Sequence, residues 1–349
     1  MPTSFRYLLP AGLALACLVA VAMKVSDPPA VQMQTFAENF LASLDETQSA
    51  KATMPYDSPK RVGWHFIPMK DRKGLTLGEM DDAQRTAALR LVRAALSEAG
   101  YDKTNKIMTL ERTLRILEGE GRTWPRDHNL YYVTVFGTPS NQGVWGLSFE
   151  GHHLSLNFVC RDGNIVDSTP QFFATNPAII MNDVVAPEGE TVLGKGTRVL
   201  RDEEEYAFKI VQSLTESQLA TAVIDETAPQ EIRFAGEAQP SVGDPEGIPF
   251  DQLDKDQQKT LKDLIEVYVG AVADSAADDR RKIIESDGWN NVHFAWAGAK
   301  KPGIGHYYRV RGKSFLIEFI NTQPDAMGNP ANHIHCVYRD LTGDFDLAL

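Results

Sequence analysis

The apolar positions of this chain form two helical stripes that echo each other. Ala88, Leu91, Val92, Ala95 and Leu96 recur at i, i+3, i+4, i+7 and i+8. Leu261, Leu264, Ile265, Tyr268 and Val269 repeat that stripe 173 positions later, and Val272 extends it. Upstream, the stretch 74–80 resembles 247–253 at the same offset, and Gln84 matches Gln257 in the first turns. Gly100 reads as the stop of the first helix. A second helix is expected in each half, near 110–117 and 278–285.

Strands follow in both halves. Residues 131–136, a polar turn and 145–149 make one hairpin; 292–296, a Lys/Pro/Gly turn and 306–310 make the other. Gly151 heads a further strand through Phe158, and Gly312 heads its counterpart through Ile320. The pattern predicts an α+β fold of two duplicated helix-plus-antiparallel-meander units, packed with pseudo-two-fold symmetry. The expected divisions are a signal segment (1–22), a helix near 31–44 with a linker (23–60), the first unit (61–168), a connecting segment (169–230) and the second unit (231–349). Within the connection, 169–177 reads as loop with Phe172 and Phe173 buried, and 201–214 and 216–224 read as helices, with Thr215 capping the second.

Composition narrows the class. The chain has 349 residues, is 43% hydrophobic and carries a net charge of −12. Excess negative charge speaks against nucleic acid as a partner, because phosphate binding needs clustered Lys and Arg. Arg6, the apolar run from Leu8 to Met23 and the small residues Ala20 and Ala22 resemble a cleaved secretory signal. The run is short for a span of about 20 residues. The expectation is a periplasmic or secreted protein starting near Met23, with no integral span in the mature chain. Cys160 and Cys336 then sit in an oxidising compartment, either bridged or as two separately buried thiols.

Candidate chemistry concentrates in Gly151-His152-His153-Leu154 and Asn332-His333-Ile334-His335. Read as strands, these runs place His153 with Ser155 and Asn157 on one face, and His333 with His335 on one face. Imidazoles at i and i+2 can grip one metal ion, and a third from a neighbouring strand leaves an open position. The expected metal ligands are His333, His335 and His153, or His152 should a bulge at Gly151 turn it inward. Zinc suits such a set better than magnesium or calcium. Glu318, between Leu316 and Ile320, is the expected proton acceptor, with a buried salt bridge to an arginine as the alternative. Asn157, His306, Asn332 and Arg339 are expected to orient substrate. No phosphate loop, dinucleotide fingerprint, H-E-x-x-H or G-x-S-x-G is present.

At these residues the chain resembles a family of bacterial and fungal proteins, domain of unknown function 3500. The resemblance rests on Trp145 through Phe158, on 169–177, on His306-Tyr307-Tyr308-Arg309, on Phe315 through Glu318 and on Asn332 through Asp344, and it spans 60–349. It implies no particular reaction. It implies a further helix beyond the Gly343-Asp344-Phe345 turn, past which the sequence reads Asp346-Leu347-Ala348-Leu349. Three function classes follow: a metal-dependent hydrolase acting on an ester, amide or other small molecule through a metal-bound water; a non-catalytic metal- or small-ligand-binding protein of the cell envelope; and a structural module in which the histidines only support the fold.

Overall fold

The computed structural model describes residues 28–69, 71–120 and 123–348. The expected signal segment lies outside them. The N-terminal half holds α1 (Pro29–Ala42), α2 (Glu46–Ala52), β1 (Thr53–Met54), β2 (Leu75–Thr76), α3 (Asp82–Ala94), α4 (Glu98–Glu118), β3 (Tyr131–Phe136), β4 (Val144–Gly151), β5 (Leu154–Arg161), β6 (Asn164–Asp167) and β7 (Gln171–Thr175). The C-terminal half holds α5 (Arg201–Ser213), α6 (Glu216–Ala222), β8 (Val223–Asp225), β9 (Ile248–Pro249), α7 (Lys255–Val269), α8 (Asp274–Asp287), β10 (His293–Gly298), β11 (His306–Arg311), β12 (Phe315–Asn321) and β13 (Ile334–Asp340). The α+β class is as expected: eight helices and one mostly antiparallel sheet among the described residues.

The sheet runs β1-β3-β4-β5-β7-β13-β12-β11-β10-β8, with β2 on β3, β9 on β10 and β6 on β5. Its two flanks meet where β7 pairs with β13, Tyr338 opposite Gln171 and His335 opposite Ala174. Like pairings recur on the flanks. Leu75 faces Val133 and Ile248 faces Phe294. Thr53 faces Val135 and Val223 faces Trp296, both in parallel.

One face of the sheet takes the helices. The predicted stripes are buried: Ala88, Leu91 and Val92 on α3, and Leu261, Leu264, Ile265, Tyr268 and Val269 on α7. Each helix starts at a capping box, Asp81 with Gln84 and Asp254 with Gln257, which satisfies backbone N–H groups that a helix start leaves free. The other face is covered by irregular chain, where Trp64, Phe66, Ile232 and Phe345 pack on Phe172, Ile320 and Val337. No described helix is long and apolar enough to cross a membrane.

Three local expectations change. Gly100 does not stop α3, which ends at Ala94; it sits in the first turn of α4, where Ser97 Oγ accepts its N–H at 3.1 Å. A glycine is needed there because a Cβ would stand 1.8 Å from the Ala271 carbonyl oxygen. At that crossing Leu96 and Val272 form an antiparallel bridge. Residues 171–175 are strand β7 rather than loop, because β13 and β5 complete the backbone hydrogen bonds on its two sides. Gly151–Phe158 is not one strand; His152 and His153 turn the chain between β4 and β5. Cys160 and Cys336 are free, buried thiols, and burial pushes Cys160 up to about 12.

Gly100→Ala is expected to destabilise the protein by about 1–3 kcal/mol through the forced separation of the two helical corners. Urea denaturation measures it; an unchanged midpoint contradicts this account of the crossing.

Candidate metal centre

The β4–β5 turn is fixed before any histidine side chain is placed. Gly151 allows the Tyr131 ring to lie against it, since a Cβ would come within 2.3 Å of that ring. The Tyr131 hydroxyl donates to the His152 carbonyl at 2.9 Å. His153 then adopts φ 65°, a left-handed conformation that is costly for a residue with a side chain. Its backbone is held on both sides: its N–H donates to Phe66 O, and its carbonyl accepts from Ala174 N, each at 2.9 Å. His335, opposite Ala174 on β13, is thereby one strand away. His333 precedes β13, and its N–H donates to Asn321 Oδ1 at 3.0 Å.

The three imidazoles converge. His333 Nε2 is 2.9 Å from His153 Nε2 and 3.0 Å from His335 Nε2. All three ligand atoms lie within 4.8 Å of one another, so the group could hold a metal ion. Ligands on a zinc at ~2.1 Å stand roughly 3.4 Å apart in a tetrahedron, so small ring rotations suffice. Burial, followed by the neighbouring histidines and Arg126, holds His153 and His333 well below the ordinary imidazole range. Both rings are therefore neutral near pH 7, as metal ligands must be.

The nitrogen contacts are compatible with a cation. Both oxygens of Glu231 lie 2.8 Å from His335 Nδ1, so that nitrogen carries the proton they accept and Nε2 is the atom turned to the cluster. His333 Nε2 has one in-plane position for two contacts, and neutral rings cannot fill both with one proton each. A cation between the three nitrogens satisfies them together. Asn176 fits the same state. Its Nδ2 is 3.5 Å from His333 Nδ1, while its buried Oδ1 has no partner. Rotating that amide brings Oδ1 to a protonated His333 Nδ1 and leaves Nε2 free to ligate.

His152 faces elsewhere. Its Nδ1 is 2.5 Å from Glu111 Oε1 on α4 and 3.3 Å from Arg126 Nη1, and its ring stacks on His153 with centroids 3.7 Å apart. Glu111, His152 and His153 form a second group of ligand atoms within 4.8 Å. The Arg126 guanidinium beside it disfavours a cation there.

The remaining candidates lie in other bonding networks. Glu318, opposite Arg309 on β11, accepts from the Tyr307 hydroxyl at 2.5 Å; no hydrogen bond joins it to the histidines. Burial raises its carboxyl above the usual range. Asn157 bonds Ser148, Ser155 and the Pro170 carbonyl. His306, on the helix-covered face, is bound to Ile304 O at 2.8 Å and faces Glu204 at 3.2 Å. Asn332 clamps Ile179 and Asp325 and so fixes the chain entering His333. Arg339 is buried against Asp344 and the carbonyls of Phe234, Glu237 and Ala238.

A family model, the protein of unknown function DUF3500, matches residues 26–347. The chain belongs to the DUF3500 family. Comparison with curated proteins and with solved structures gives no match. Three members of this candidate site escape sequence reading. Glu111 left a signal, an acid on the buried stripe of Ile107, Leu110 and Leu114. Glu231 and Asn176 sit in irregular chain and left none.

Two depressed imidazoles make a sign prediction for metal-free protein. The unfolded chain takes up protons near 6.5, the ordinary value, where the folded rings resist them. Their contribution to stability is full above that pH and is lost as pH falls below it. A His153→Gln, His333→Gln double variant should show a shallower loss between about pH 6.5 and 5 in denaturant titrations; equal slopes contradict it.

Proposed function

We propose that this protein is an exported, metal-dependent hydrolase built on His153, His333 and His335. The observation that carries the reading is the convergence of three imidazole Nε2 atoms with Glu231 behind one of them. Zinc suits the donor set. When bound, it supplies a Lewis acid that polarises a substrate carbonyl and brings the pKa of water towards ~7. Glu231 holds the His335 tautomer. Glu111 and His152, paired beside His153, are the groups placed to receive a proton, a role expected of Glu318 from its sequence setting. Glu318 remains assigned to proton handling only through Tyr307, and Asn157, His306, Asn332 and Arg339 to supporting the walls.

Metal analysis of purified protein tests this. We expect one equivalent of a late first-row metal, lost in His333→Ala and His335→Ala. Glu231→Gln should weaken affinity by about 10–100-fold. Ester and amide panels should show turnover that EDTA removes and zinc restores. Metal without turnover leaves the non-catalytic binding protein; no metal in any preparation ends the reading.

The same chain reads as two copies of one unit about a pseudo-two-fold axis. The strand order is palindromic when β1, β3, β4, β5 and β7 are matched to β8, β10, β11, β12 and β13. The side-chain bonds agree: Gln84 donates to Ser43 O and to Gln48, and Gln257 donates to Ser213 O and to Gln218. Export rests on the N-terminal pattern. Sequencing of protein from its native host should begin near Met23, and an intact Met1 in a cytosolic fraction opposes it.

A further inference from the structure

The register that relates the two flanks also relates two places on the sheet. Leu156 faces Gln171 as Ile317 faces Tyr338, and Leu154 faces Phe173 as Phe315 faces Asp340. The His153 carbonyl accepts from Ala174 N at 2.9 Å, and the Ser314 carbonyl accepts from Leu341 N at 2.8 Å. On this register Ser314 stands in the place of His153, Ser168 in that of His335 and Val166 in that of His333. Lys313 and Asp287, 3.9 Å apart, stand where His152 and Glu111 do. The counterpart of the metal centre therefore carries no imidazole. It is a cleft of about 450 Å³ whose lining includes Val166, Ser168, Arg280, Ile283, Ser314 and Tyr338.

Arg280 gives this cleft its chemistry. The side chain is buried, with its guanidinium 4.3 Å over the Tyr338 ring. It donates to Gln171 Oε1 at 2.9 Å and to the Ser168 carbonyl at 2.8 Å. Both acceptors are neutral, and among the described residues no other hydrogen bond reaches the fork. The structure places no carboxylate of the described residues in an ion pair with it. Asp167, on the same wall, is turned to other donors: it accepts from Ser168 N, Thr169 Oγ1 and Asp346 N, and burial with the nearby Asp344 pushes its carboxyl up to about 8. Asp344 is bound to Arg339. Lys282 at the rim is already paired with Asp279. Asp340, also on the wall, accepts from Thr342 N and Oγ1 and acts on Arg280 without an ion pair. A buried cation whose hydrogen-bond partners are all neutral is costly, and a planar guanidinium matches a carboxylate in shape. Val166 and Ile283, exposed by 42% and 47%, give the rim an apolar surface.

We propose that this cleft binds a small carboxylate bearing a short apolar chain, the carboxylate on Arg280 and the chain against Val166 and Ile283. The site uses none of the histidines, so it stands or falls apart from the metal. The test is calorimetric titration of EDTA-treated full-length protein with acetate, butyrate and hexanoate, with butyramide as the uncharged control. The expected result is saturable single-site binding that tightens several-fold from acetate to hexanoate, with none for butyramide. Arg280→Gln should weaken butyrate by about 10-fold or more. Ser314→Asp, which supplies an internal carboxylate, should abolish binding, and His333→Ala should leave it unchanged. Absence of saturable heat with all three acids, or butyramide binding as tightly as butyrate, overturns the proposal on wild-type protein alone. Butyrate binding unaltered in Ser314→Asp does the same.

Discussion

The pairing of β7 with β13 is the constraint on which the rest depends. It joins two flanks of strands into one continuous sheet and sets Ala174 opposite His335. The same Ala174 donates its N–H to the His153 carbonyl. One short strand thus fixes the spacing between imidazoles that come from opposite halves of the chain. A slip of one residue there would turn His335 to the helix-covered face and leave His153 alone.

Periodicity made much of the fold legible. The apolar stripes of α3 and α7 and the hairpins of both flanks follow from spacing alone, because burial on one face demands it. Two signals misled for physical reasons. Gly100 looked like a helix stop, but its glycine serves a close crossing of backbones. The 169–177 stretch is rich in turn residues, yet its centre is held as strand by neighbours far away in sequence. Tertiary pairing of that kind leaves no local mark.

The site was legible in its histidines and opaque in what supports them. His333 and His335 share a direction because they are two residues apart, which the pattern states directly. His153 reaches them by a different route, a positive-φ turn that strand alternation does not describe. Glu231 and Asn176 are brought in by irregular segments, where sequence carries no period to read. Glu318 shows the converse. A carboxylate between apolar neighbours looked poised for chemistry, and its strand pairing delivers it to Tyr307 and Arg309.

His153 and His333 are separated by 180 residues, yet their Nε2 atoms stand 2.9 Å apart. No fragment from one half contains the three-nitrogen arrangement, and it forms only when β7 and β13 have brought the two halves together. Occupancy by a metal would therefore be a late event, available only once both flanks have docked. It would act as a clasp over a span of 180 residues, and the folded population would rise with metal supply. A chain with a flaw anywhere along that span would hold its ion poorly, so metal retention would report on the integrity of the whole fold.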